Sequence, residues 1–106
     1  MSTSFREDVA WAAGFFDGEG GIYYYPDGSG RYTVSARIGQ KDPELLCRFA
    51  SVVGVGNIYG PYGSSVCHSW VAGNFEAVQH VVATLWFFLG PTKRDQAAMA
   101  FKALRG

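Results

Sequence analysis

The sequence predicts an α+β fold, a four-stranded antiparallel sheet with its helices gathered on one face, and three observations carry that prediction. Residues 31–38 alternate strictly, with Tyr32, Val34, Ala36 and Ile38 on one side and Arg31, Thr33, Ser35 and Arg37 on the other, as a half-buried antiparallel strand does. Two loop signatures, Pro26-Asp27-Gly28-Ser29-Gly30 and Pro61-Tyr62-Gly63-Ser64-Ser65, each divide a pair of short strand-like runs and read as hairpins. Capped helical patterns flank both hairpins, which gives the order α-β-β-α-β-β-α-α with no tandem repeat.

The first helix covers about residues 5–18. Ser4 followed by Glu7 is a capping-box signature at its start. Phe5, Val9, Ala12 and Phe16 lie on one side of its axis, and Trp11 and Phe15 on another. Ala10, Ala13, Gly14 and Gly18 make a third, small-residue side. A helix apolar all round is a buried helix, and the Gly14-x-x-x-Gly18 spacing allows close approach of another backbone, either a crossing strand or a second helix.

Gly20 and Gly21 open the first strand, Ile22–Tyr25, and the alternating strand follows the Pro26–Gly30 loop. Asp42 caps a second helix with Pro43 at its first position, and Gly54 stops it. The second hairpin pairs roughly Gly56–Gly60 with Val66–Ala72. Asn74 caps a third helix carrying Val78, Val81, Val82, Leu85 and Leu89, which Gly90-Pro91 ends. A short last helix spans about Lys93–Leu104.

With 106 residues, the chain is one domain, and 48% hydrophobic with 17% charged residues argues for a packed core and against disorder. Cys47 and Cys67 make neither a disulfide framework nor a zinc motif, so both read as free thiols in a reducing compartment, cytoplasmic or organellar and nucleoid-associated, not secreted. The longest apolar runs, Val9–Phe16 and Val81–Leu89, are too short to span a bilayer. Nine basic residues balance nine acidic ones. Arg31, Arg37 and Lys41, and then Lys93, Arg94, Lys102 and Arg105, nevertheless cluster in two stretches that could give a neutral chain one positive face.

The most informative stretch is Ala12 to Gly20, Ala-Ala-Gly-Phe-Phe-Asp-Gly-Glu-Gly. It delivers two acids, Asp17 and Glu19, to a helix C-terminus that already carries partial negative charge and unpaired carbonyls. Such acids are unfavourable there unless something positive offsets them, and a divalent cation held by Glu19 and a free carbonyl is one candidate. Taken alone, Asp-Gly-Glu-Gly is more often a helix cap and turn. His68 reads as a core-facing, hydrogen-bonded histidine, and His80 as a surface one.

In its motif and element order the chain resembles a single-motif LAGLIDADG homing endonuclease. The motif corresponds to Ala12–Gly20, with Gly14, Asp17 and Gly20 identical and Glu19 in place of the second aspartate. Gly54-Val55-Gly56 and the Lys93-x-x-Gln96 spacing also fit. The resemblance implies a homodimer paired through Ala10, Ala13, Gly14, Asp17 and Gly18. It implies site-specific, Mg²⁺-dependent hydrolysis of double-stranded DNA at a roughly palindromic site, and a gene inside an intron or intein. Glu19 and the Gly18 carbonyl become the metal ligands, Gln40 the residue that positions water, and Lys93 the basic group near the reacting phosphate. The sheet becomes a DNA-reading surface of Tyr23, Tyr25, Arg31, Thr33, Ser35, Arg37, Asn57, Tyr59 and Ser69, with Asp27 on the same face. The alternative in the same fold is a catalytically silent DNA-binding regulator or RNA-splicing maturase; a ligand-binding or dimerisation module without a nucleic-acid role is a third reading. The sequence departs from the family pattern at Glu44, where a basic residue often begins the second helix; Arg48 stands one turn later.

Overall fold

The computed structural model describes residues 3–105, with side chains from Phe5 onward. The elements follow the predicted order: α1 (Thr3–Glu19), β1 (Gly20–Pro26), β2 (Tyr32–Gln40), α2 (Pro43–Val53), β3 (Asn57–Tyr62), β4 (Cys67–Ala72), α3 (Phe75–Leu85) and α4 (Pro91–Arg105). The strands form one antiparallel sheet in the order β1-β2-β4-β3. The helices cover one face. The fold class read from the sequence is the one observed. The expected cap at Ser4 falls on a side chain outside those described.

Alternation decides what each strand buries. Ile22, Val34, Ala36, Ile38, Trp70 and Ala72 point to the helices and are buried. Phe16 of α1 stacks on Phe49 of α2 at 6.0 Å between ring centroids, and Phe49 meets Trp70 of β4 edge-on at 4.8 Å. These three rings join two helices to the sheet. The Trp70 indole nitrogen donates to the Val55 carbonyl at 3.0 Å, so its one polar atom is satisfied. Gly56, at φ +92°, lies against that indole: a Cβ there would come within 2.5 Å of Trp70 Cε2. Both the backbone angle and the packing therefore require glycine.

The predicted caps at α2 and α3 form. The Asp42 carboxylate accepts from the Glu44 N–H at 2.9 Å, and Gly54 closes α2 in the left-handed region with its N–H on the Ala50 carbonyl. The Asn74 side chain accepts from the Ala77 N–H at 2.9 Å. Two boundaries differ from expectation. α3 ends at Leu85 and passes into a 3-10 turn, Trp86–Phe88, while Gly90-Pro91 opens α4 rather than closing α3. α4 is accordingly a helix of 15 residues, with Pro91 at its first position where a missing N–H costs nothing. β3 also runs further than predicted, through Pro61 to Tyr62. The ladder slips between Tyr59 and Tyr62, and proline is tolerated where pairing is interrupted.

The start of α4 is held from elsewhere in the chain. The N–H of Gly90 donates to the Asp17 carboxylate, at 3.0 and 3.1 Å to its two oxygens. An anion from α1 thus sits at the positive end of α4. One turn on, Gln96 Oε1 accepts from the Ile22 N–H of β1 at 3.2 Å.

Two stability predictions follow from these contacts. Phe49→Ala removes the central ring of the three and is expected to cost about 3–5 kcal/mol in urea unfolding. Asp17→Ala strips the anion from the start of α4 and leaves a partly buried N–H unpaired. It is expected to cost about 1–2 kcal/mol by the same measurement, with hydrogen exchange accelerated at the start of α4.

Candidate active site at the end of the first helix

α1 passes into β1 with no intervening loop, so the last helical residue, Glu19, precedes the first strand residue, Gly20. The two acids delivered there are handled in opposite ways. Asp17 is half-buried and turns its carboxylate to Gly90. Glu19 is exposed, and its carboxylate makes no hydrogen bond or ion pair with any described residue. Lys93 of α4, only 8% exposed, donates from Nζ to the Asp17 carbonyl at 3.2 Å. A positive charge therefore lies against the negative end of α1, where it offsets the helix dipole.

Gln40 comes to the same region through the sheet. Gly20 pairs with Ile38, which places Gly39 and Gln40 beside the end of α1. The Gln40 side chain is half-buried, and its Oε1 accepts from the Lys41 N–H at 3.0 Å. Gly18, Glu19 and Lys93 thus meet at one junction, and Gln40 lies two residues beyond Ile38, the β2 partner of Gly20.

The junction suits a hard divalent cation in its donor chemistry. Such an ion takes about six or more oxygen ligands and commonly completes its shell with water and substrate phosphates. One chain contributes the free Glu19 carboxylate and the Gly18 carbonyl. Among the described residues no cluster of three or more His, Cys, Asp or Glu side chains forms within the chain. The residues present fit a share of a site rather than a closed one.

The small-residue side of α1 divides in two. Gly14 and Gly18 are exposed, Ala10 is half-buried, and a Cβ built on either glycine meets nothing within 4 Å. Ala13, expected on this stripe, is instead fully buried at 0% exposure with Val9, Ala12 and Phe16, because α1 turns that side to its own core. Asp17, expected at the dimer interface, turns its carboxylate to Gly90 of α4. Arg48 does not approach the junction: its guanidinium stacks over the Trp11 ring at 3.8 Å, in the seam of α1 and α2.

On the sheet face away from the helices, register aligns Tyr23 and Tyr25 with Thr33, Ser35 and Arg37, and Ser69 with Tyr59; Asn57 lies on the same face. Two expected members of this surface depart from it. Ser35 is only 2% exposed, a small side chain beneath larger neighbours, and accepts from Arg37 Nε at 3.4 Å. Arg31 precedes β2 and lines a groove of about 1180 Å³ with Tyr24, Tyr32, Phe75 and Phe101 on the helix side. Among the described strand residues on the open face, Arg37 is the only cation. Asp27 lies in the hairpin loop, where the Ser29 hydroxyl, at 2.6 Å, and then the Ser29 N–H hold its carboxyl below the usual range.

His68 faces the helices, as its parity with Trp70 requires. Its Nδ1, however, is buried without a hydrogen-bond partner among the described residues, contrary to the expectation of a bonded histidine. His80 is exposed on α3. The sequence reading did not anticipate the Asp17–Gly90 and Gln96–Ile22 bonds. Spacing within a helix carries no signal for partners more than seventy residues away.

No protein-family model matches the chain, and no curated protein matches it. Solved structures do. The homing endonuclease I-CvuI, crystallised on the I-CreI target with 2 mM Mg and the DNA not cleaved, superposes with a TM-score of 0.79 at 18% identity, over 98% of this chain and 69% of that one. The archaeal intron-encoded homing endonuclease I-Vdi141I, complexed with DNA, gives 0.73 at 21% identity, over 99% of this chain and 72% of that one. The LAGLIDADG meganuclease I-CpaMI, bound to uncleaved DNA, gives 0.74 at 22% identity; this chain spans 37% of its length. With the Ala12–Gly20 motif at the end of α1 and a four-stranded sheet beyond it, the chain has the fold of the LAGLIDADG homing endonucleases.

Proposed function

We propose that the chain is a divalent-metal-dependent, site-specific DNA endonuclease that acts as a homodimer on a roughly palindromic double-stranded site. The observation that carries this reading is the contrast between the two acids of the motif. Asp17 is consumed by the fold, and Glu19 stands exposed and unpaired at a helix end with a buried ammonium group behind it. The similar structures named above are DNA complexes, which supports a nucleic-acid substrate for this sheet as well.

Dimerisation rests on α1. Gly14 and Gly18 leave bare backbone on an exposed helix face. Phe87, 75% exposed, belongs to the 3-10 turn that packs beside the same helix. A second copy laid on this face buries apolar surface and brings its own Glu19 to the junction, in a two-fold arrangement that matches a palindromic site. Together, two such ends offer the oxygen donors that one chain lacks.

In this mechanism Glu19 and the Gly18 carbonyl would hold the cation. The chemistry such a cation would supply is activation of a water and charge stabilisation at the leaving 3′ oxygen. Gln40 orients water at the end of β2. Lys93 keeps a fixed positive charge under the junction, where negative charge accumulates. Tyr23, Tyr25, Thr33, Arg37, Asn57, Tyr59 and Ser69 face the major groove, with Arg37 suited to bidentate contact with guanine.

A second reading, a catalytically silent DNA-binding or RNA-splicing member of the same fold, is favoured by the sparse charge of the open face. With net charge zero, non-specific binding is weak and its salt dependence shallow under either reading. Selection from a randomised duplex library with and without magnesium separates the two. Recovery of bound but uncut duplexes in magnesium supports the silent protein, and recovery of cut ends supports the nuclease.

On a cut duplex, Glu19→Gln is expected to slow cleavage by on the order of a thousandfold or more, about 4 kcal/mol of barrier, with binding and dimerisation retained. Cleavage by this variant at the wild-type rate would remove Glu19 from the mechanism. Gly14→Leu has an opposed pair of effects. Helix propensity favours the folded monomer by up to about 1 kcal/mol, while the added side chain blocks the paired face. Sedimentation equilibrium should show self-association weakened at least about tenfold, near 1.4 kcal/mol, in a protein whose unfolding midpoint does not fall.

A further inference from the structure

Tyr23 carries a feature that its place on the open face does not require. Its ring folds back along β1 toward the helix junction, and its hydroxyl stands over Gly21. A Cβ on Gly21 would lie 2.7 Å from Tyr23 Cζ and 3.0 Å from Cε2, with the hydroxyl oxygen closer still. The residue that follows the motif is thus a glycine that leaves room for this ring. Tyr23 is 52% exposed, and its hydroxyl has no hydrogen-bond partner among the described residues. Gly21 is two residues from Glu19. Two residues span at most about 7 Å, so the phenol and a cation held at Glu19 can reach one phosphate group.

We propose, on the basis of the endonuclease reading, that Tyr23 is a catalytic residue rather than a reader of bases. Its hydroxyl donates a hydrogen bond to a non-bridging oxygen of the phosphate being cut. A phenol is both donor and acceptor, and a donor fixed beside the phosphate is stabilising when charge grows on those oxygens in the transition state. No proton is transferred and no covalent bond to the protein forms. The hydroxyl keeps its proton while water, losing a proton to solvent, bonds to phosphorus and the P–O3′ bond breaks, the 3′ oxygen taking up a proton from solvent. Gly21 is the positioning residue, because it determines where the ring lies.

The test uses a duplex recovered from the library selection. Tyr23→Phe should slow single-turnover cutting in magnesium by about ten- to a hundredfold. It should weaken binding of the uncut duplex in EDTA by only about threefold. That smaller loss should vanish on one of the two methylphosphonate diastereomers at the cleaved linkage, the one in which the methyl group replaces the accepting non-bridging oxygen. Gly21→Ala retains the hydroxyl but displaces the far end of a flexible side chain, so it should slow cutting in the same direction without lowering the unfolding midpoint. Tyr24→Phe, on the helix side of β1, should cut at the wild-type rate. If Tyr23→Phe cuts at the wild-type rate, or its binding loss persists on both methylphosphonate diastereomers, the role assigned to Tyr23 is overturned and the endonuclease reading stands. Recovery of no cut duplex in magnesium overturns the endonuclease reading, and this proposal with it.

Discussion

α1 and α4 exchange charged groups at their ends, and the geometry of the junction depends on that exchange. The carboxylate near the end of α1 sits at the start of α4, and an ammonium from α4 sits on a carbonyl near the end of α1. Each helix terminus receives the sign of charge that its dipole favours. Lys93 is buried and Asp17 half-buried, so the pairing is screened less than a surface ion pair. With the two ends held together, the direction in which α1 hands the chain to β1 is fixed. The exposed acid two residues beyond Asp17 inherits that rigidity.

α1 therefore has two unlike surfaces. One is a packed surface, where Ala12, Ala13 and Phe16 disappear into the core and Phe16 is tied through Phe49 to Trp70 of the sheet. The other is backbone left bare by Gly14 and Gly18. The aromatic chain keeps the bare side facing outward, because rotation of the helix about its axis would break the ring contacts. A helix glycine usually weakens its helix; here tertiary packing supplies the stability that the glycines give up.

Element order, the caps at Asp42 and Asn74 and the buried side of β2 were all legible in the sequence, because each rests on local periodicity or on a residue next to the group it caps. The motif was legible for a different reason: it places two acids where a helix end disfavours them. What remained hidden were the answers to that mismatch. Neither the turn of Asp17 toward Gly90 nor the burial of Lys93 can be read from spacing, since each partner is defined only once α4 folds back on α1. The same limit explains Ser35, whose exposure was decided by larger neighbours on its face, and Ala13, whose side of α1 is turned to the core. Arg31 falls just before the strand whose alternation was extended to include it.

β1 lies at the edge of the sheet, and an edge strand offers unpaired N–H groups to any other strand that drifts alongside. The Gln96 side chain takes up one of these, at Ile22, close to the middle of the strand. A would-be neighbour meets an amide group from α4 instead of a vacant donor, and α4 itself stands in the way of its approach. Gln96 thus protects the fold against sheet-to-sheet accretion, so that copies of this chain are steered away from stacking into fibres through their edges.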